Sequence, residues 1–294
     1  MTIATVIRRY LSYPLQGLLA RVFFFLVRLL PLATASNIGG RLGRWIGPKI
    51  AITRRARRNL GLAFPEKTPE QIGFIIAGMW ENLGRVLFEY PLLDRLDMKR
   101  DVDIIGVEHL DSLRDDGKPG ILFSGHLANW EIIPMVPKTR DLASHIFYRA
   151  PNNPYVAALF ARNHLEFGSK MIPKGPKGAR EALKVLGQGG HLGMLIDQKM
   201  NDGIAVPFFG RDAMTAPALA QFALKYDCPV IGSRIERLDG AKFRITFYPP
   251  MKIESTGDRH ADIHRIMTQV NETLESWVRE HPEQWLWLHN RWPT

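Results

Sequence analysis

The order of apolar and polar positions divides the chain into two unlike parts. From about residue 101, short apolar runs at 102–105, 120–124, 145–148, 191–196, 229–235 and 243–248 predict strands, and amphipathic stretches at 154–167, 178–187, 214–226 and 260–280 predict helices. Alternation of that kind predicts an α/β fold, a mainly parallel sheet flanked by helices, in which ligands bind at the carboxyl ends of strands. Ahead of it, "TPEQIGFIIAGMWENLGRVLFEY" (68–90) predicts an amphipathic helix started by the Thr68-Pro69 pair, with Glu70 in its first turn. "PLQGLLARVFFFLVRLLPLATA" (14–35) has helical composition interrupted by Arg21 and Arg28, seven positions apart and so within about 20° on a helical wheel. One basic stripe on an otherwise apolar helix predicts an element at an anionic membrane interface. A full span places two arginines near its centre, at roughly 2.5–3.5 kcal/mol each unless they snorkel.

Charge sharpens this division. The first 65 residues carry eleven bases and no acid, so a whole-chain net charge of +10 leaves the remainder at −1. A uniformly basic nucleic-acid binder does not have that distribution, and we expect no nucleic-acid partner. The basic segment 41–58 is expected on the cytoplasmic side, near anionic headgroups. A buried helix followed by a solvated basic face, or by a nucleic-acid patch at the Arg54–Arg58 cluster, remains the plainer alternative. The chain thus reads as a membrane-anchoring segment over 1–65 and an α/β domain over 66–294. The single cysteine, Cys228, excludes an internal disulfide framework and a cysteine-based metal site.

Candidate chemistry begins at "ILFSGHLANWEII" (121–133), where an apolar run gives way to His126, with Glu131 five positions on. Five residues are about 140° around an ideal helix, so the pair cannot share a helical face. They meet only if His126 lies in the loop off the strand and Glu131 in the first helical turn, with Asn129 as N-cap and Glu131 ionised at the helix N-terminus. Pro134 and Pro137 require that helix to be short or kinked. In that geometry a carboxylate fixes the imidazole tautomer while the other ring nitrogen takes a proton from a hydroxyl. The spacing alone equally describes a histidine and a carboxylate that happen to follow a strand.

Several blocks in order carry a resemblance. "RRARRNLGLAFPE" (54–66), "MWENLGRVLFEY" (79–90), "HLANWE" (126–131) as an H-x4-[DE] block, "FYRAPNNP" (147–154), "GMLIDQKMNDGIAVPFFG" (193–210) and the tryptophan-rich "EQWLWLHNRWP" (283–293) together resemble the late acyltransferases of lipid A biosynthesis. These are lauroyl/myristoyl transferases within the wider glycerolipid-acyltransferase-like group. The resemblance runs over nearly the whole chain. It implies His126 as general base with Glu131 as its orienting catalytic partner, and Arg149, Asn152, Asp197 and Gln198 as substrate-binding residues. It also implies an acyl-carrier-protein thioester as donor, a Kdo-bearing lipid A precursor as acceptor, membrane lipids as partners, and the cytoplasmic face of the cell inner membrane as location. No metal and no cofactor is required, because the donor is activated and the nucleophile belongs to the acceptor. Rival readings are an acyltransferase for another glycolipid or a lysophospholipid using acyl-CoA, and a non-catalytic membrane scaffold.

Other features leave their alternatives open. Asp197 ends "HLGMLI" and is either a site carboxylate or a cap for the following turn. The "VPFFG" phenylalanines pack near acyl groups or in the core. Trp277, Trp285, Trp287 and Trp292 belt an interface or close the core, and His289 lies within that terminal block. Lys170, Lys174, Lys177, Arg180 and Lys184 gather where phosphates could be met, or form a solvated loop and helix start.

Overall fold

The computed structural model describes residues 8–148, 150–166 and 170–292. A π-turn, Arg8–Ser12, leads into α1 (Tyr13–Arg28). The apolar stretch expected as one helix is two: Pro31, lacking an N–H and fixed in φ, separates α1 from α2 (Leu32–Ile46). Leu15, Leu18, Leu19, Val22, Phe25 and Leu26 are between 46% and 64% exposed. By length and composition Arg9–Arg28 can cross a bilayer, with 11% of its apolar window buried. Of the two stripe arginines, Arg28 turns back to the protein and binds Asp94 at 2.8 and 3.0 Å and the Pro91 carbonyl at 2.6 Å.

Next come α3 (Thr53–Ala63) and α4 (Pro69–Glu89). The latter is opened by a reciprocal cap between Thr68 and Gln71, as the Thr-Pro start suggested. The α2 and α4 helices touch backbone to backbone. A Cβ on Gly43 would meet the Trp80 carbonyl at 2.1 Å, and one on Gly39 would meet the Gly84 carbonyl at 2.4 Å.

The α/β body follows in the order β1 (Val102–Ile105), α5 (Val107–Asp115), β2 (Gly120–Ser124), α6 (Met135–Thr139), β3 (Ser144–Tyr148), α7 (Pro154–Glu166), β4 (Lys170–Pro173), α8 (Pro176–Gly187) and β5 (His191–Leu195). It ends with β6 (Ile204–Phe208), β7 (Arg211–Thr215), α9 (Ala218–Tyr226), β8 (Val230–Asp239), β9 (Lys242–Phe247) and α10 (Arg259–Glu280). The seven-stranded sheet runs β1-β9-β8-β2-β5-β3-β4, parallel except between β8 and β9. The expected α/β class and parallel sheet are therefore present. Strand β2, "GILFS", is buried at every position, as an apolar run without alternation requires at the centre of a covered sheet.

One expectation needs correction, and one open alternative is decided. Residues 211–215, expected partly as helix, pair antiparallel with β6 in a ribbon, and α9 starts only after Pro217. The tryptophan-rich terminus closes the core: Trp277, Trp285, Trp287 and Trp292 are at most 2% exposed. Phe208 and Phe209 pack among these rings, Phe208 at 5.8 Å from Trp285 and Phe209 at 6.0 Å from Trp287.

Candidate active site

The site is built where β2 and β5 end. These neighbours are paired so that Ser124 lies opposite Leu195, and the Ile196 N–H still donates to the Ser124 carbonyl at 3.1 Å. Two residues beyond that register pair stand His126 and Asp197, which places them at the same height. His126 Nδ1 lies 2.7 Å from Asp197 Oδ1, and the His126 backbone N–H donates to Asp197 Oδ2 at 2.7 Å. The Trp285 indole donates to Asp197 Oδ2, also at 2.7 Å. Asp197 has no exposed surface. Burial alone would raise its pKa, but the imidazole of His126 and the hydrogen bonds from its side chain and backbone hold the carboxyl well below the ordinary aspartate range. An ionised carboxylate only accepts, so His126 carries its proton on Nδ1 and presents a lone pair on Nε2.

That lone pair faces Gln198, whose Nε2 lies 3.1 Å from His126 Nε2 and 3.2 Å from His289 Nε2. Lys174 Nζ donates to Gln198 Oε1 at 3.1 Å, which fixes the amide so that its N–H groups point at the two imidazoles. Burial first, and then His126, push the pKa of His289 down to about 4, leaving it neutral near pH 7.

Glu131 follows a different course from the expected one. His126 is in the loop and Glu131 in the first turn beyond it, Trp130–Ile132, but that turn is a single 3-10 turn. The carboxylate on His126 Nδ1 is Asp197. Glu131 accepts instead from the Trp130 indole at 3.0 Å and lies in the cavity wall. Burial pushes its pKa up to about 7, against the hydrogen bond from Trp130 and the nearby His126. One 3-10 turn supplies too little dipole to offset that desolvation, so the turn does not hold Glu131 ionised as a longer helix would. Asn129 stands at the N-cap position but does not cap; its side chain donates to Glu89 at 2.8 Å.

The other expected residues divide. Gln198 is at the centre. Arg149 lies outside the described residues. Asn152 is exposed and absent from the cavity wall, whereas its neighbour Asn153 is buried and donates to Tyr13 O and Gln16 Oε1 of α1 at 3.0 and 3.1 Å. His289, Lys174 and Trp285 join the site through contacts distant in sequence, which no local spacing announces. Among the described residues, no three His, Cys, Asp or Glu side chains gather as a metal site.

A cavity of about 490 Å³ opens beside His126, with Glu131, Tyr148, Lys174, Gln198 and His289 at its polar end. Its remaining wall comes largely from apolar side chains of β2, β3 and β5 and from Pro134 and Pro137. Fold and site thus define an α/β protein with a carboxylate-anchored imidazole beside a largely apolar cavity. The family described as "Bacterial lipid A biosynthesis acyltransferase" matches residues 5–294, and the chain belongs to that family of acyltransferases. It is 26% identical over 288 residues to the "Lipid A biosynthesis acyltransferase" of Haemophilus influenzae, covering 95% of this chain and 88% of that protein. It is 25% identical over 269 residues to the "Lipid A biosynthesis lauroyltransferase" of Escherichia coli, covering 86% and 85%. The "Phosphatidylinositol mannoside acyltransferase" of Mycolicibacterium smegmatis is 21% identical over 278 residues, covering 91% and 88%.

Proposed function

We propose that this acyltransferase moves a fatty acyl chain from an acyl-carrier-protein thioester to a hydroxyl on an acyl chain of a Kdo-bearing lipid A precursor, at the cytoplasmic face of the inner membrane. The observation that carries the reading is the Asp197-anchored imidazole, its Nε2 lone pair turned to the polar end of an apolar cavity. The acceptor hydroxyl displaces the Gln198 amide from His126 Nε2 and gives up its proton there. The oxygen attacks the thioester carbonyl carbon, the new C–O bond gives a tetrahedral oxyanion, and its collapse breaks the C–S bond. The sulfur leaves as thiolate and takes back the proton from Nε2.

Asp197 holds the tautomer and stabilises the imidazolium. Glu131, when ionised, adds negative charge beside the same ring. The Gln198 amide, freed from His126, is a donor within reach of the developing oxyanion. Arg149 and Asn152 stay in this reading as substrate contacts. The uncovered apolar face of α1 and the acid-free basic segment after it support membrane residence.

The test is transfer by purified full-length protein in phospholipid vesicles, with carrier-protein and CoA thioesters offered to a Kdo-bearing lipid A precursor. His126→Ala should lower turnover by about 10²–10⁴-fold while the protein still floats with the vesicles. Retention of most activity would sink the mechanism. Transfer from CoA alone, or only to a mannosylated or lysophospholipid acceptor, would keep the chemistry and replace the substrates.

A further inference from the structure

From His126 to Asn129 the backbone turns outside any helix or strand. Ala128 sits at φ +43°, a conformation that costs a residue other than glycine about 1–3 kcal/mol. The turn is held from behind. The Ala128 N–H donates to the Gln284 carbonyl at 2.9 Å, and the Ala128 carbonyl accepts from Asn82 Nδ2 at 3.0 Å. Asn129 donates its amide to Glu89 Oε2 at 2.8 Å. Glu89, in the last turn of α4 and 1% exposed, is gripped by Arg237 through two N–H groups at 2.5 and 3.0 Å. The Arg237 Nε donates to Asn82 Oδ1 at 2.9 Å, which closes a ring around the Ala128–Asn129 turn. None of Asn82, Glu89, Asn129 and Arg237 lines the cavity.

Stability does not account for such a ring. A buried Arg–Glu pair contributes little net stability, because well-packed apolar side chains of equal volume do as well or better. What this pair adds is direction: beyond its bonds to Ser36 and the Gly240 carbonyl, Glu89 accepts from Asn129 and Arg237 holds Asn82, so both reach the turn that separates the two motif side chains. We propose that Glu89, Arg237 and Asn82 are positioning residues for acyl transfer, fixing the Ala128–Asn129 turn and through it the separation and facing of His126 and Glu131. The proposal rests on the reaction read above. Ser36 provides an internal control: its hydroxyl donates to the same Glu89 carboxylate at 2.6 Å, from α2, without bonding to the turn.

The experiment is a double-mutant cycle in the full-length protein in vesicles. Glu89→Gln and Asn129→Ala should each lower kcat about 10–100-fold, the size of a small misplacement of a reacting group, with KM for the thioester within about threefold. The double variant should lose no more than the worse single one. Ser36→Ala should leave kcat unchanged. Additive losses, or an unchanged kcat per folded molecule, would overturn the proposal. Should Glu89→Gln fail to fold, Asn82→Ala with Asn129→Ala gives the same cycle from smaller changes. Hydrogen exchange reads the ring without turnover: the Ala128 amide should exchange faster in Asn129→Ala while α4 and β8 amides keep their protection. Unaltered exchange at Ala128 also overturns it. Faster exchange in a protein whose wild type transfers no acyl group supports the ring and removes only the assigned reaction.

Discussion

Two apolar surfaces of this protein are made of similar residues and face opposite ways. The outer face of α1, with Leu18, Leu19, Phe25 and Leu26, is convex and more than half exposed. The wall of the cavity, with Leu122, Phe123, Ile146 and Leu195, is concave and enclosed by the sheet. Their polar neighbours tell them apart. After α1, residues 29–65 carry seven bases, all turned to solvent, and no acid. At the cavity the polar groups are cross-linked: Asp197 receives three hydrogen bonds and Gln198 engages three side chains. Solvent-facing basic charge beside apolar surface suits an interface with lipid headgroups, whereas mutually satisfied polar groups beside apolar surface hold atoms in place for chemistry.

The strongest way to break this contrast is to remove the cross-link at its centre. Asp197→Asn puts an amide where three donors converge, so at least one N–H is left facing another. Turnover should fall by about 10³-fold as the imidazole loses its tautomer, while vesicle flotation is unchanged. A fall of less than tenfold would mean that Asp197 is a structural cap. Next in size is the outer surface. Phe25→Asp should cost roughly 3 kcal/mol of membrane affinity if α1 enters hydrocarbon, read as a shift into the soluble fraction after high-salt extraction. The same residue left in the pellet would assign attachment to another part of the chain.

These regions were legible in the sequence to different degrees. Strand β2 and the loop position of His126 could be read because an unbroken apolar run ends at Gly125, and glycine and proline mark turns regardless of tertiary context. The parallel sheet followed from alternation, a property of whole segments. The partner of His126 could not be read the same way. Asp197 is 71 residues away in sequence, and only the register of β2 against β5 brings the two together. Glu131 was the nearer carboxylate, but it accepts from the Trp130 indole and lies in the cavity wall. The stretch 14–35 was read as one helix although Pro31 divides it, and the return of Arg28 to Asp94 depends on packing. The terminal tryptophans were undecided because burial and interfacial belts share one composition.

The join between the two regions gives a smaller test. Helix α2 reaches α4 through glycines, and Gly43→Val would drive a side chain against the Trp80 backbone. We expect a destabilisation of about 2–3 kcal/mol, seen as a lower Tm in detergent, because backbone cannot yield as a flexible side chain can. Activity per folded molecule should stay near wild type, since none of the cavity wall comes from α2. A large loss of kcat with an unchanged Tm would instead tie the anchor to the chemistry.

The smallest expected effect belongs to Glu131. Its pKa is raised to about 7 by burial, above the ordinary carboxyl value of 4.5, so the folded protein holds a proton that the unfolded chain releases. Between those two values the native state binds more protons than the unfolded state, and stability must fall as pH rises. From pH 5.5 to 7.5 that contribution is roughly 2 kcal/mol, and above pH 8 it is constant. Glu131→Gln removes the ionisation while keeping the shape. Denaturant titrations of the two proteins should therefore show the wild type losing ground to the variant as pH rises through 5.5–7.5. Parallel stability curves would mean that Glu131 is already ionised and compensated at pH 5.5. The carboxylate would then belong with the cross-linked groups around Asp197 instead of serving as a site group whose charge is set near neutral pH.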